Sequence, residues 1–227
     1  MGRRCRGRSS PRCFEGNRNA CDTIFAQLCH GFEEHGLENA AWRLAATFMP
    51  GDDFVAHRQQ LDRWGAEVSH RLRKAATPLD RIETLVEFLG QELRFRGNEE
   101  DYYNVNNSLL PEVIETRVGI PISLSLVYML VGQRAGLSVA GVALPGHFVV
   151  RHGEDFFDPF RGGRRIGLDE CRWLAEQRGS PLSARDLEPA TPKQMLIRIL
   201  GNIRLIAKPS DPPLAAKISR WIDALQP

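Results

Sequence analysis

The chain has 227 residues, 42% of them apolar and 26% charged, enough for one domain with a real core. Its 30 basic and 28 acidic side chains nearly balance, and five of the arginines crowd into residues 1–12, so the remainder is slightly acidic and lacks the broad basic footprint of a nucleic-acid binder. The longest apolar run, Ile120–Val131, is broken by Ser123 and Ser125 and is shorter than the ~20 residues that span a bilayer, so no membrane partner is expected either.

Residues 1–21 read as a disordered, solvated basic tail, with no apolar stretch behind the arginines to make a secretory signal. Cys5, Cys13, Cys21 and Cys29 recur every eight residues, whereas zinc sites want cysteine pairs two to four apart. No metal and no cofactor are predicted, and an odd cysteine count with Cys171 left over points to reduced thiols in a cytoplasmic protein.

Residues 22–96 carry helical periodicity. Ile24, Phe25, Leu28 and Phe32 form one apolar stripe and Ala41, Leu44 and Phe48 another, with Gly36 between them. A helix from about Asp53 to Lys74 places Phe54, Leu61, Trp64, Val68 and Leu72 on one face. Thr77 is a natural N-cap with Pro78 in the first helical position, and the helix it opens runs to Gly97-Asn98. Residues 98–107, acidic and asparagine-rich, read as an ordered loop in which Tyr102 and Tyr103 supply area to bury and Asn98, Asp101 and Asn106 cap the backbone. A short helix follows over Leu109–Arg117, capped by Asn107 or Ser108.

Pro121–Ala135 has no polar stripe of normal width, which marks a helix buried on nearly every side and stopped by Gly136. Strand signals come next at Val139–Leu144, at His147–Arg151 and at Phe156–Asp158, with Gly153-Glu154 as a hairpin turn and Gly162-Gly163 as the end of the strand region. Leu168–Arg178, Pro192–Ala207 and Leu214–Leu225 are further helices, the last pair separated by Pro209, Pro212 and Pro213. The order predicts an α+β fold: a buried central helix on a small antiparallel sheet, flanked by N-terminal (22–96) and C-terminal (166–227) helices around a core of residues 97–165, all in one compact domain.

Chemistry concentrates in that core. His147 opens one strand and Asp158 closes the strand paired with it, so the two side chains can meet. A carboxylate on one ring nitrogen fixes the imidazole tautomer and raises its basicity; the plainer alternative is a core histidine held by one acid. The nucleophile of such a site belongs at the start of the buried helix, where the helix dipole and free N–H groups lower a thiol pKa and hold an oxyanion. That stretch, Gly119 to Ser125, contains no cysteine. Ser123 and Ser125 are its only hydroxyls, either bonded back to carbonyls of their own helix or activated by His147 as base. Cys171 lies beyond the hairpin and is a poor substitute. Arg161, Arg164 and Arg165 flank the two glycines and suit a carboxylate or phosphate, or simply a solvated turn.

These residues resemble the SirB-type branch of the transglutaminase-like superfamily. The likeness rests on Gly97-Asn98 with Asp101-Tyr102-Tyr103, Asn107-Ser108-Leu109-Leu110, Arg117 through Ser125, Gly141-Val142, Pro145-Gly146-His147-Phe148 and Asp158-Pro159-Phe160 with Gly162-Gly163. It is strong over residues 80–165 and weaker over Pro189–Asn202. It implies a cysteine-protease/transglutaminase-like core with His147 and Asp158 in the His and Asp places and Pro121 in the place of the cysteine. It also implies that the proline is a property of the branch, whose helical arrays after the core are not expected here.

The function so predicted is a non-catalytic binding or regulatory protein. Its cleft, lined by His147, Asp158, Ser123 and Tyr102 or Tyr103, with Asn106 and Arg161 nearby, would hold a peptide, a protein segment or a small polar ligand. The alternative is a hydrolase or acyltransferase using Ser123 or Ser125 with His147 and Asp158. A third reading is a partner protein that acts through its helical surfaces, anchored by Trp42, Trp64, Trp173 or Trp221.

Overall fold

The computed structural model describes residues 23–177 and 179–226. The tail expected over residues 1–21, with Cys5, Cys13 and Cys21, lies outside them, as does the side chain of Cys29. Helix α1 (Thr23–Phe48) is two helical pieces meeting at Gly36, whose φ of 70° no β-branched residue would adopt comfortably. Helix α2 (Val55–Arg71) buries Leu61, Trp64 and Val68, the stripe read from the sequence. Helix α3 (Pro78–Val86) starts at Thr77, whose hydroxyl accepts the Asp80 N–H at 3.1 Å while the Asp80 carboxylate takes the Thr77 N–H at 2.9 Å, a complete capping box.

From there the structure departs from expectation. The helix does not run on to Gly97-Asn98. It loosens into a π-helical turn over Glu87–Glu92, and Arg96–Gly97 forms a short strand, β1. This strand lies parallel to β2 (Val118–Gly119), with the Arg96 N–H on the Arg117 carbonyl at 3.0 Å and the Asn98 N–H on the Gly119 carbonyl at 2.9 Å. Helix α4 (Leu110–Thr116) begins without a side-chain cap. Asn107 is committed elsewhere: its Nδ2 donates to the carbonyls of Asp101 at 2.7 Å and Tyr102 at 3.1 Å. The buried Ser108 hydroxyl has no partner among the described residues.

Helix α5 (Pro121–Arg134) is the centre. Eleven of its fourteen residues are buried, which explains why the sequence leaves it no polar face. Behind it lies an antiparallel sheet of β3 (Ala140–Val142), β4 (Val149–His152), β5 (Asp155–Asp158) and β6 (Arg164–Ile166), in that order. His147 does not open β4; it sits two residues ahead of it, after the Pro145-Gly146 turn. Gly162-Gly163 does not end the sheet, because β6 follows and pairs Phe157 with Arg165.

Side chains alternate across this sheet. Phe148, Val150 and Phe157 join the main core with α5, while Val149, Phe156 and Ile166 pack with Cys171 and Leu174 of helix α6 (Leu168–Glu176). Helices α7 (Pro192–Ser210) and α8 (Pro212–Leu225) complete the main core with Leu196, Leu200, Ile203 and Trp221. Pro209 stays inside α7; the break comes at Asp211, whose carboxylate caps the Leu214 N–H at 3.0 Å. At the far end of α5, Arg134 pairs with Glu38 at 2.8 Å and Asp62 at 2.7 Å, fastening α1 and α2 to it. The protein is thus mixed α+β. Trp42, Trp64 and Trp221 are core residues, and only Trp173 of the four tryptophans is half exposed.

Candidate functional site

His147 reaches the site from a turn in which its own N–H bonds the Leu144 carbonyl at 3.1 Å. Its carbonyl receives Arg198 Nη2 of α7 at 3.4 Å. Asp158 ends β5, is fully buried, and organises the loop that follows. Its Oδ1 accepts the Phe160 N–H at 3.0 Å, and its carbonyl accepts the Gly163 N–H at 2.8 Å.

The two side chains meet: His147 Nε2 lies 3.0 Å from Asp158 Oδ2. A buried carboxylate is costly unless it is bonded, and here it has the imidazole, one backbone N–H and the guanidinium of Arg161, with Nε 3.9 Å away. A carboxylate acceptor at Nε2 favours the tautomer protonated there, leaving the Nδ1 lone pair outward. Nδ1 has no hydrogen-bond partner among the described residues and is not sealed from solvent.

The serines are placed otherwise than the hydrolase alternative requires. Ser123 Oγ donates to the Asn107 carbonyl at 2.6 Å and accepts the Ile120 N–H at 3.1 Å, stitching the start of α5 to the asparagine loop. It also lies 3.1 Å from the Ile120 carbonyl, the back-bonding pattern expected of it. Ser125 is fully buried, and its hydroxyl has no partner at all among the described residues, so the back-bond expected for it is not formed. Neither serine is hydrogen-bonded to His147 among those residues. Ser123→Ala removes both bonds and leaves the Asn107 carbonyl and the Ile120 N–H only their long 3.4 Å bond to each other, so it is expected to lower unfolding free energy by about 1 kcal/mol in a urea titration. Cys171 does not stand in for the missing thiol: it is fully buried, and burial, with the charges of Glu170 and Asp158 adding, pushes its thiol up to about 11.

The remaining predicted residues are divided. Tyr102 packs edge-on against Phe160 with centroids 6.1 Å apart, and Phe160 packs edge-on against the His147 ring at 6.0 Å. Tyr103 is mostly exposed and touches only this file of rings, at Tyr102. Arg161 bonds Glu170 at 3.1 Å and lies over the Trp173 ring, while Arg164 pairs with Glu170 and Arg165 with Asp155. Asn98 does cap the loop as expected, accepting the Asp101 N–H at 2.9 Å, and Asn104 accepts the Asn106 N–H at 3.0 Å.

Asn106 lines a cleft of about 620 Å³ whose other walls include Arg96, Gly97, Glu99, Glu100, Glu112 and Phe160. The cleft therefore shares Phe160 with His147 rather than being lined by Ser123. Sequence reasoning passed over Phe160 as a site residue, and Tyr128 too. The latter is the tyrosine of α5, with a buried, unpartnered hydroxyl. Burial and the nearby Asp158 charge push that phenol far above its usual range. Its signal in the sequence is a lone tyrosine in an otherwise aliphatic helix. Among the described residues no group of acids, histidines and cysteines could hold a metal, and no helix is long and apolar enough to cross a membrane.

Comparison with known proteins adds a family. The model of the transglutaminase-like superfamily matches residues 56–201, from α2 into α7. A UPF0162 protein of Xylella fastidiosa (strain Temecula1) is 37% identical over 134 residues, covering 55% of this chain and 48% of that protein. A UPF0162 protein of Pseudomonas aeruginosa is 29% identical over 204 residues, covering 88% and 73%. F-box only protein 21 of Mus musculus is 32% identical over 132 residues, covering 53% and 21%. The match to the Xylella proteins spans about half of their length. No solved structure gives a significant match.

Proposed function

The chain belongs to the transglutaminase-like superfamily, and we propose that it holds a ligand beside a retained His–Asp pair rather than turning over a substrate. One observation carries this reading. His147 and Asp158 are bonded at 3.0 Å, yet α5 starts on Pro121, and the hydroxyl two residues on, that of Ser123, is engaged with the Asn107 carbonyl. A nucleophilic mechanism needs an ionisable or base-activated group at that helix start, and a proline has none. The same proline, with the string from Arg117 to Ser125, supports membership of the SirB-type branch. The near-balance of charge and the odd cysteine count, with Cys171 free, support a cytoplasmic setting.

The cleft beside Phe160 is the binding surface in this reading. Asn106 and Phe160 line it, while Tyr102, His147 and the loop held by Asp158 support Phe160 from outside the lining. Turnover is the test. Wild type and His147→Ala are incubated with blocked glutamine peptides and with nitrophenyl esters, following release of ammonia and of nitrophenol. Neither protein is expected to exceed the buffer rate. Release by wild type that His147→Ala abolishes would overturn the proposal.

A further inference from the structure

We propose that the cleft takes an extended peptide carrying a basic side chain, bonded main chain to main chain along the free edge of β1 at Gly97. This rests on reading the site as a binding cleft and goes beyond it by naming the partner chemistry.

The pairing of β1 leaves that edge open. In a parallel ladder one residue uses both of its backbone groups toward the partner strand and the next uses neither. The Arg96 N–H and the Asn98 N–H both go to β2, at the carbonyls of Arg117 and Gly119. With Gly97 opposite Gly119, the Gly97 N–H and C=O point away from β2, and no other partner takes them among the described residues. An open strand edge is a template for an added strand. Gly97 is among the residues that line the 620 Å³ cleft.

Gly97 is required at that point for packing. A Cβ there would stand 2.4 Å from the Phe160 ring, so the backbone itself forms the cleft wall, with the aromatic ring directly behind it. The charges of the cleft choose the side chain. Glu99, Glu100 and Glu112 line it against a single guanidinium, Arg96. A peptide side chain bearing positive charge is complementary, and it has an aromatic face in Phe160 to rest on. The asparagine loop is already braced internally, Asn98 Nδ2 to Asn107 Oδ1 at 3.0 Å and Asn104 Nδ2 to Asp101 Oδ2 at 2.8 Å, so the wall is formed before any ligand arrives.

The test uses the full chain, ¹⁵N-labelled, titrated with a blocked pentapeptide of alternating valine and arginine. Two control peptides accompany it, one N-methylated at its central residue and one with citrulline for arginine. Expected are a shift of the Gly97 amide and at least about tenfold slower exchange of that proton at saturation. N-methylation, which removes the donor facing the Gly97 carbonyl, is expected to weaken binding about tenfold. Citrulline, or the exposed double variant Glu99→Gln with Glu100→Gln, should weaken it about fivefold and flatten its salt dependence. Equal binding of the N-methylated peptide, shifts that avoid Gly97, or no binding at about 1 mM peptide would each overturn the inference. None of these bears on turnover, so the non-catalytic reading stands or falls by its own assay.

Discussion

Gly90→Ala is expected to destabilise the protein by about 3 kcal/mol or more and to lower the melting temperature by roughly 10 °C. A methyl group at this position would sit 2.0 Å from the carbonyl oxygen of Gly162 and 2.7 Å from its carbon. Neither is the tip of a flexible side chain. Gly162 is backbone in a left-handed turn, φ 67°, pinned by its N–H to the Pro159 carbonyl at 3.2 Å. Its neighbour Gly163 is tied to Asp158, so a displaced turn pulls on the carboxylate that holds His147. The π-helical turn has a role here: π-bulges recur at functional sites, and this one brings a glycine against the loop that follows the His–Asp pair. Scanning calorimetry with a histidine NMR spectrum checks both parts. A wild-type melting temperature together with an unmoved His147 resonance would show that the two backbones do not meet.

With Pro121 in the cysteine place, as proposed above, Pro121→Cys is expected to install a thiol that ionises with a midpoint at about pH 6, read from thiolate absorbance, which needs no reagent to reach this buried position. A thiol of ordinary pKa is less than about 1% ionised at that pH, whereas one lowered to about 6 by a helix N-terminus and by the imidazole that the proposed reading sets beside it is half ionised. The substitution suits the position. Pro121 is the first residue of α5, where a restored N–H needs no intrahelical partner. The difference between the titrations of the variant and the wild type isolates this thiol from the other cysteines, and Cys171, buried with its thiol pushed up to about 11, does not ionise near that pH. An ordinary midpoint, or a low midpoint that survives His147→Ala unchanged, would overturn the proposed placing of Pro121 opposite the imidazole.

The parts of this fold that were legible are those with a local physical cause. The N-cap at Thr77 is marked by the Pro78 beside it, and the uniform oiliness of α5 states its burial outright. The meeting of His147 and Asp158 followed from a hairpin whose two strands could be seen, although the histidine sits in the turn ahead of its strand. What escaped depends on partners distant in the chain. Ser123 bonds the carbonyl of Asn107, sixteen residues back, and backbone carbonyls carry no sequence label. Strands of two residues, such as β1 and β2, hold a single period of the strand alternation, too little for a pattern to repeat. The π-helical turn differs from the expected helix in the reach of its bonds, five residues back instead of four, as from Leu93 N–H to the Phe88 carbonyl at 2.9 Å. The same limit hid the cleft, because its walls join β1, the asparagine loop, α4 and Phe160, and only three-dimensional proximity unites them.

The file of rings from Tyr103 through Tyr102 and Phe160 to His147 makes the imidazole one-sided. Carbon shields one flank and an anion grips Nε2, so any molecule that meets this histidine arrives along the bearing of Nδ1. An arriving group that offers a proton finds a lone pair; one that offers only a lone pair finds nothing to accept until the ring gains a second proton.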